Sequence, residues 1–342
     1  MSENVIYTGL AMADNESEQY PQIGDKTISE QNKIYLRNVY TFFATSTKLN
    51  KNCDHIFFTN HGNTLFIDDF NLTSWLNNNG VDVQVREFNF EPQNSDYFTK
   101  SFYKFDCINE ISKKSYSHSL LLDVDCVWLK PADALFQNAS SNDICLYDVY
   151  ESPSIDEPIH GLTRREMTEV FSSIDENYPK NKHPTHFGGE ALFSSKKNLK
   201  KITQEHKQIY RRIQKDKEIP KFSNEKSIYD NDEYINSLVC NKLFDDWKPL
   251  NPYIKRVWTP PGFSNVEGNE DELCVWHLPS EKKTGLKYLF ESIQNNPSDF
   301  ESLGQPGLTK FIGKHTGVQK RPYLLKARMK TENLITKLSK IS

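Results

Sequence analysis

Asp123-Val124-Asp125 is the part of this chain whose residue types and spacing most directly suggest chemistry. The two acids follow Ser119-Leu-Leu-Leu122 and precede Cys126-Val127-Trp128-Leu129, so they interrupt an apolar run that reads as a buried strand. Residues two apart along a strand are separated by ~6 Å of rise. Two carboxylates held that close in apolar surroundings repel each other and lose hydration unless a cation joins them. A divalent metal removes that cost, and backbone donors at a strand end are the other way to satisfy the pair. The spacing alone says little, because Asp230-Asn231-Asp232 repeats it. The apolar flanks set Asp123 and Asp125 apart.

Such a pair is useful only where the fold opens it to a ligand. Residues 4–10 read as a strand, 29–49 as a helix with Ile34, Leu36, Val39, Tyr40 and Phe43 at helical spacing, and 54–60 as a second strand. Residues 65–76 are partly helical, 81–90 alternate like a strand, 97–111 carry apolar residues three and four apart, and 119–122 form a continuous apolar strand. This alternation predicts an α/β fold with a mostly parallel central sheet flanked by helices. Ligands bind such sheets at the carboxyl ends of the strands, which is where Asp123 and Asp125 fall. Further on, 145–149 read as a strand, 151–181 as a polar excursion, 187–194 as a return to the core, 231–243 as a helix and 273–278 as a last strand.

The chain's 342 residues exceed what one core usually holds, roughly 250–300, and its 21 Phe and 16 Tyr can fill one large or two fused α/β units. Lys and Arg number 42 against 46 acids, a net charge of -4, which argues against a protein that binds nucleic acid through its overall charge. Met1-Ser2-Glu3-Asn4 does not begin a signal peptide and no apolar run reaches membrane-spanning length, so a cytoplasmic location is expected. Six cysteines without a Cys-x-x-Cys pair suggest reduced thiols rather than a zinc knuckle or a disulfide framework. From Leu308 onward nine Lys or Arg face Glu332 alone, interleaved with Leu324, Leu325, Met329, Leu334, Ile335 and Leu338. That pattern predicts a basic amphipathic helix, lying either on the anionic inner face of a membrane or on its own domain.

The run Leu120-Leu-Leu-Asp-Val-Asp-Cys-Val-Trp-Leu-Lys-Pro131, after a strand and helix series and a helix containing Lys104, resembles the DxD region of GT-A glycosyltransferases, which use nucleotide-sugar donors. The likeness covers most of residues 4–285 in the order of elements and is specific at a few short motifs. His186-Phe-Gly-Gly-Glu-Ala-Leu-Phe193 is similar to the glycine-bearing strand that lines the sugar and acceptor pocket, with Gly188, Gly189 and Glu190 as its site residues. Asn231-Asp232-Glu233 resembles the acidic segment that opens a helix beside the reactive carbon. Val275-Trp276-His277, followed by Lys282 and Lys283, resembles the late histidine and lysine that close on metal and diphosphate in the retaining family-8 branch.

The resemblance implies a Rossmann-like GT-A domain with a nucleotide-sugar-binding half (1–130), an acceptor-binding half (131–285) and a basic helical extension (286–342). It implies transfer of a sugar from a nucleotide diphosphate, UDP being favoured, to a glycan or lipid-linked acceptor in surface polysaccharide synthesis. Asp123, Asp125 and His277 would hold Mn²⁺ or Mg²⁺, the imidazole favouring Mn²⁺. The metal would stabilise the departing diphosphate as a Lewis acid, with Lys104, Lys282 and Lys283 on its phosphates. Gly188 and Gly189 would let a sugar approach the backbone. Asp232, Glu233 and Glu190 are the candidate catalytic carboxylates, and Tyr7 and Thr8 are placed near the nucleotide base only because strand ends line such sites.

Each of these residues also has an ordinary structural use: a bulge at the glycines, a helix first turn at Asp232 and Glu233, a surface position for Lys104, core for Tyr7 and Thr8. Two other functions fit part of the pattern. Asp123-Val-Asp125-Cys-Val127 is similar to the haloacid-dehalogenase-like phosphatase motif, with Asp123 as nucleophile, Asp125 as general acid and Asp245-Asp246 as the distal acidic pair. A catalytically silent nucleotide-sugar-binding protein is the other.

Overall fold

In the computed structural model, strand and helix alternate from the start of the chain, and the structure describes residues 2–332 except 14–19, 21–22, 25, 63, 93–98, 142, 152–153, 159–161, 180, 216–230 and 322–324. The first part contains β1 (Asn4–Leu10), α1 (Ile28–Leu49), β2 (Asp54–Thr59), the small hairpin β3 (Phe66–Ile67) and β4 (Phe70–Asn71), α2 (Leu72–Asn78), β5 (Val81–Val85), α3 (Tyr103–Ser112) and β6 (His118–Leu122). The middle contains β7 (Cys126–Trp128), α4 (Asp133–Ser140), β8 (Ile144–Asp148), α5 (Arg164–Ile174), β9 (Phe187–Ser195), α6 (Lys196–Ile213) and α7 (Asp232–Leu243). The last part contains β10 (Lys248–Pro249), β11 (Ile254–Arg256), β12 (Val275–His277), α8 (Gly285–Asn295), α9 (Pro297–Ser302) and α10 (Gln305–Thr316).

The central sheet has seven strands in the order β10-β8-β9-β6-β1-β2-β5. All neighbours pair in parallel except β9, which runs antiparallel between β6 and β8. The chain therefore winds outward from β1 through β2 to β5, then returns to place β6 on the other side of β1. This reversal is a topological switch point, where crossovers diverge and leave a crevice at the strand ends. The fold class is α/β with a mostly parallel sheet, as the alternation predicts.

Apolar clusters lie on both faces of the sheet. One contains Ile6, Phe57, Leu120, Leu122, Phe42, Phe43 and Trp128, with Leu286, Leu289, Phe290, Leu308 and Ile312 of α8 and α10. The other contains Val5, Tyr7, Phe58 and Leu121 with residues of α3, α5, α6 and α7. Helices α8 to α10 are thus part of the core, and the sheet runs through both halves expected from the sequence. Only after Val318 does the basic tail leave the core. Its short helix over residues 325–332 is anchored to α8 by Lys287 on Glu332 at 2.7 Å and Arg328 on Glu291 at 2.5 Å. Of the apolar tail residues, Leu324, Leu334, Ile335 and Leu338 lie outside the described residues. Among the described residues, no helix is long and apolar enough to cross a membrane.

Candidate metal centre and its ion-pair network

The apolar run around Asp123 is two strands rather than one. β6 ends at Leu122, residues 123–125 form a turn closed by Cys126 N–H donating to Asp123 O at 3.1 Å, and β7 departs into a second, three-stranded sheet. The expected rise of ~6 Å between two strand positions therefore does not set the geometry of the two acids. In that second sheet, β12 lies antiparallel to β7 with His277 opposite Cys126, and parallel to β11 with His277 opposite Arg256. Leu278 N–H donates to Asp125 O at 3.0 Å, and Asp123 N–H donates to Glu190 O on β9 at 3.0 Å. Backbone pairing thus gathers acids, histidine and arginine from four distant segments at the switch point.

Asp123, Asp125 and His277 each offer one ligand atom, and these atoms all lie within 4.8 Å of one another. His277 Nε2 is 3.2 Å from Asp125 Oδ2 and 3.9 Å from Asp123 Oδ2. His277 Nε2 and Asp125 Oδ2 are both buried, and their polar neighbours are charged groups: each other, Asp123 Oδ2 for the imidazole, and Lys282 Nζ at 3.1 Å for the carboxylate. An imidazole nitrogen buried between two carboxylates, with the three ligand atoms this close together, fits a shared cation. The set of two carboxylates and one imidazole suits a divalent ion of the Mg²⁺ to Mn²⁺ class.

The surrounding charges lead to the same conclusion. Lys104 Nζ lies 2.7 Å from Asp123 and 3.0 Å from Asp232, and donates to Gly189 O at 2.9 Å. Lys282 Nζ lies 3.1 Å from Asp125 and over the Tyr35 ring. Arg256 grips both oxygens of Glu190, Nε to Oε1 and Nη2 to Oε2, each at 2.6 Å, and also reaches Glu233 at 2.6 Å. The second oxygen of Glu233 lies 3.2 Å from His186 Nε2. Five carboxylates therefore face three permanent cations: a protonated His277 leaves one negative charge, and a neutral His277, the form that binds a metal, leaves two, which a divalent ion balances.

The titration behaviour follows from these contacts. Burial pulls the His277 imidazole down, but Asp125 and Glu190 outweigh it and raise its pKa to about 9. Burial pushes Asp125 up, but Lys282 and His277 hold it far below the carboxylate range. Glu190 is likewise pushed up by burial and brought down to about 2 by Arg256 and His277. Asp123 goes the other way: burial and the neighbouring Asp125 raise it despite Lys104.

The sequence-derived residues divide clearly. Asp123, Asp125, His277, Lys104, Lys282, Glu190, Asp232 and Glu233 share one cluster of contacts. Lys283 is exposed, one position further along the chain. Tyr7 and Thr8 lie within β1 before its end at Leu10 and are fully buried, Tyr7 edge-on to Phe58, so they occupy the core position rather than a strand end. The glycines serve a different purpose from the one expected. A Cβ on Gly189 would collide with the Asp232 carboxylate and one on Gly188 with that of Glu190, so the space they leave is filled by the chain's own acids. Asp232 and Glu233 do open helix α7, with Asn231 as N-cap accepting from Glu233 N–H, and join the cluster as well. Asp245 and Asp246 are almost fully exposed and pair with Lys182 and Lys248 at the surface. The six cysteines are free, five of them buried. Arg256 is a cluster member that no sequence motif contains, and His186 opens the glycine-bearing motif without being one of its expected site residues.

Compared with models of known protein families and with curated proteins, the chain matches none.

Proposed function

We propose that this protein is a metal-dependent glycosyltransferase of the GT-A type, moving a sugar from a nucleotide-diphosphate donor, with UDP favoured, to a glycan or lipid-linked acceptor. The observation that carries this reading is the convergence of Asp123, Asp125 and His277, with ligand atoms within 4.8 Å of one another, at the switch point where open α/β sheets bind nucleotides. When bound, Mn²⁺ or Mg²⁺ supplies Lewis-acid stabilisation to the charge that grows on a leaving diphosphate. Lys104 and Lys282 each rest against one of the candidate metal ligands, and they supply ammonium donors to phosphate oxygens. Asp232 is held by Lys104, and Glu233 by Arg256 and His186, so both carboxylates are oriented by cations and suit the binding of sugar hydroxyls better than proton abstraction. That restraint favours retention of anomeric configuration. The exposed positions of Asp245 and Asp246 weigh against the phosphatase reading, which needs a distal acidic pair at the Asp123 site.

The acceptor side of the proposal includes an anionic membrane surface. Lys320, Lys326 and Lys330, with Val318 and Met329, line a cleft of about 440 Å³ beside the end of α10, whereas Arg328, outside its lining, is engaged at the surface by Glu291 and Glu332. Reversing Lys320, Lys326 and Lys330 to Glu releases the protein from phosphatidylserine vesicles on this reading, and unchanged sedimentation with the vesicles removes the membrane from it. The function itself is tested by incubating the protein and Mn²⁺ with UDP-, GDP-, CMP- and TDP-sugars and following nucleoside-diphosphate release. Metal-dependent release from one donor, lost in Asp125→Ala, supports the transferase. Hydrolysis of p-nitrophenyl phosphate without release from any donor replaces it with the phosphatase.

A further inference from the structure

Arg256 lies outside every motif read from the sequence, yet it binds two carboxylates of the centre, Glu190 and Glu233. It is 9% exposed and sits on β11 directly across from His277. Its backbone N–H donates to Tyr147 Oη at 3.0 Å, and its guanidinium fixes both oxygens of Glu190 and one of Glu233. Glu190 Oε1, gripped in this way, lies 3.3 Å from His277 Nδ1, while His277 Nε2 faces Asp125 and Asp123. A buried ion pair is seldom more stabilising than an apolar replacement of the same volume. Its presence here therefore calls for a role in orientation.

We propose that Arg256 is a positioning residue for metal binding, acting through Glu190 on His277. The guanidinium fork sets the Glu190 carboxylate in the plane where it accepts the Nδ1–H of His277, which leaves the Nε2 lone pair directed between Asp123 and Asp125. Metal-bound histidines characteristically donate their other ring N–H to a carboxylate, and loss of such an outer partner costs about 10–100-fold in metal affinity. The inference rests on the metal-centre reading above, and it makes a prediction that simple charge does not. Removing a cation near a metal site strengthens metal binding by Coulomb's law, whereas removing a positioning residue weakens it.

The experiment is a Mn²⁺ titration followed by the electron paramagnetic resonance signal of the free ion, on wild type, Arg256→Lys and Arg256→Met, with thermal unfolding as the check on folding. Wild type takes up one Mn²⁺. Arg256→Lys keeps the charge but loses the two-pronged grip, and binds about tenfold more weakly; Arg256→Met also binds more weakly. Equal affinity in Arg256→Lys, or tighter binding in Arg256→Met, overturns the proposal while leaving the metal centre intact. Absence of Mn²⁺ uptake by wild type overturns the metal-centre reading itself and the proposal with it. A second measurement needs no folded variant at Arg256. In wild type labelled with ¹⁵N-histidine and loaded with diamagnetic Zn²⁺, the His277 ring, assigned by its loss in His277→Gln, carries its proton on Nδ1 and its metal on Nε2. The reverse assignment overturns the proposal.

Discussion

Lys104→Met tests the electrostatic logic of the centre without touching a metal ligand. In the wild type a single ammonium group serves Asp123 at 2.7 Å and Asp232 at 3.0 Å, with 14% exposure of the lysine side chain against 21% and 6% for the two acids. Methionine keeps the apolar stem out to Cε and removes the ammonium group, leaving Asp232 almost wholly buried without a cation. Breaking a buried pair by removing one partner costs about 3–5 kcal/mol. The residual exposure of Asp123 sets the expectation at the low end, about 3 kcal/mol. At about 2.1 cal/mol/K of unfolding entropy per residue, a 342-residue chain loses about 4 °C of melting temperature for that amount. Differential scanning fluorimetry without metal measures it directly. Saturating Mn²⁺ then narrows the gap between the two proteins, because a cation on Asp123 replaces one of the two contacts the lysine made. The gap does not close, because Asp232 still lacks its partner. Adding Asp232→Asn to Lys104→Met removes that second burden and recovers stability beyond the single variant. A loss of less than about 1 kcal/mol in Lys104→Met, or a gap that widens with Mn²⁺, refutes the reasoning.

Two further expectations concern regions away from the metal ligands. His206 on α6 is buried, stacked on Phe105 at 4.0 Å with neither ring nitrogen hydrogen-bonded, and burial lowers its pKa from 6.5 to about 3. The unfolded chain therefore binds the extra proton between pH 6.5 and 3, and stability falls as pH falls through that window. Between pH 7 and 5 this single group costs about 2 kcal/mol, so urea unfolding of His206→Phe loses that much less stability than wild type over the same interval; equal losses contradict the assignment. At Gly9, in β1 under α3, an added Cβ would collide with Cys107 Sγ. Gly9→Ala is expected to cost about 1–3 kcal/mol by overpacking and Gly9→Ala/Cys107→Ala to recover most of it, measured by denaturant midpoints.

The sequence made the sheet and the two central acids readable because both rest on local pattern. The apolar run before Asp123 marks β6, and the strand and helix alternation before it implies the parallel order that creates the switch point. What stayed hidden depends on pairing between distant segments. Arg256 follows Ile254-Lys255 in a three-residue strand, and nothing local separates it from a surface arginine. It becomes central only because β11 lies beside β12. The same pairing shows why 119–129 misled as one continuous strand: β7 has the same apolar character as β6 but belongs to a different sheet. Helix α5 has a sequence signature of its own. Met167, Val170, Phe171 and Ile174 have helical spacing, and Thr163 with Glu166 forms a capping box, inside a stretch whose Pro and Glu content suggested a loop. The basic surface of α6 likewise obscured its buried line of Leu199, Ile202, His206 and Ile209.

The central claim is that Asp123, Asp125 and His277 form a divalent-metal site that recruits a nucleotide-diphosphate donor. Its most direct test is isothermal titration of the full chain with UDP-, GDP-, CMP- and TDP-sugars, with and without Mn²⁺, beside the Asp125→Ala variant. The account predicts binding of one donor class that requires Mn²⁺ and disappears in the variant. Donor binding that is indifferent to Mn²⁺ and survives Asp125→Ala would contradict it.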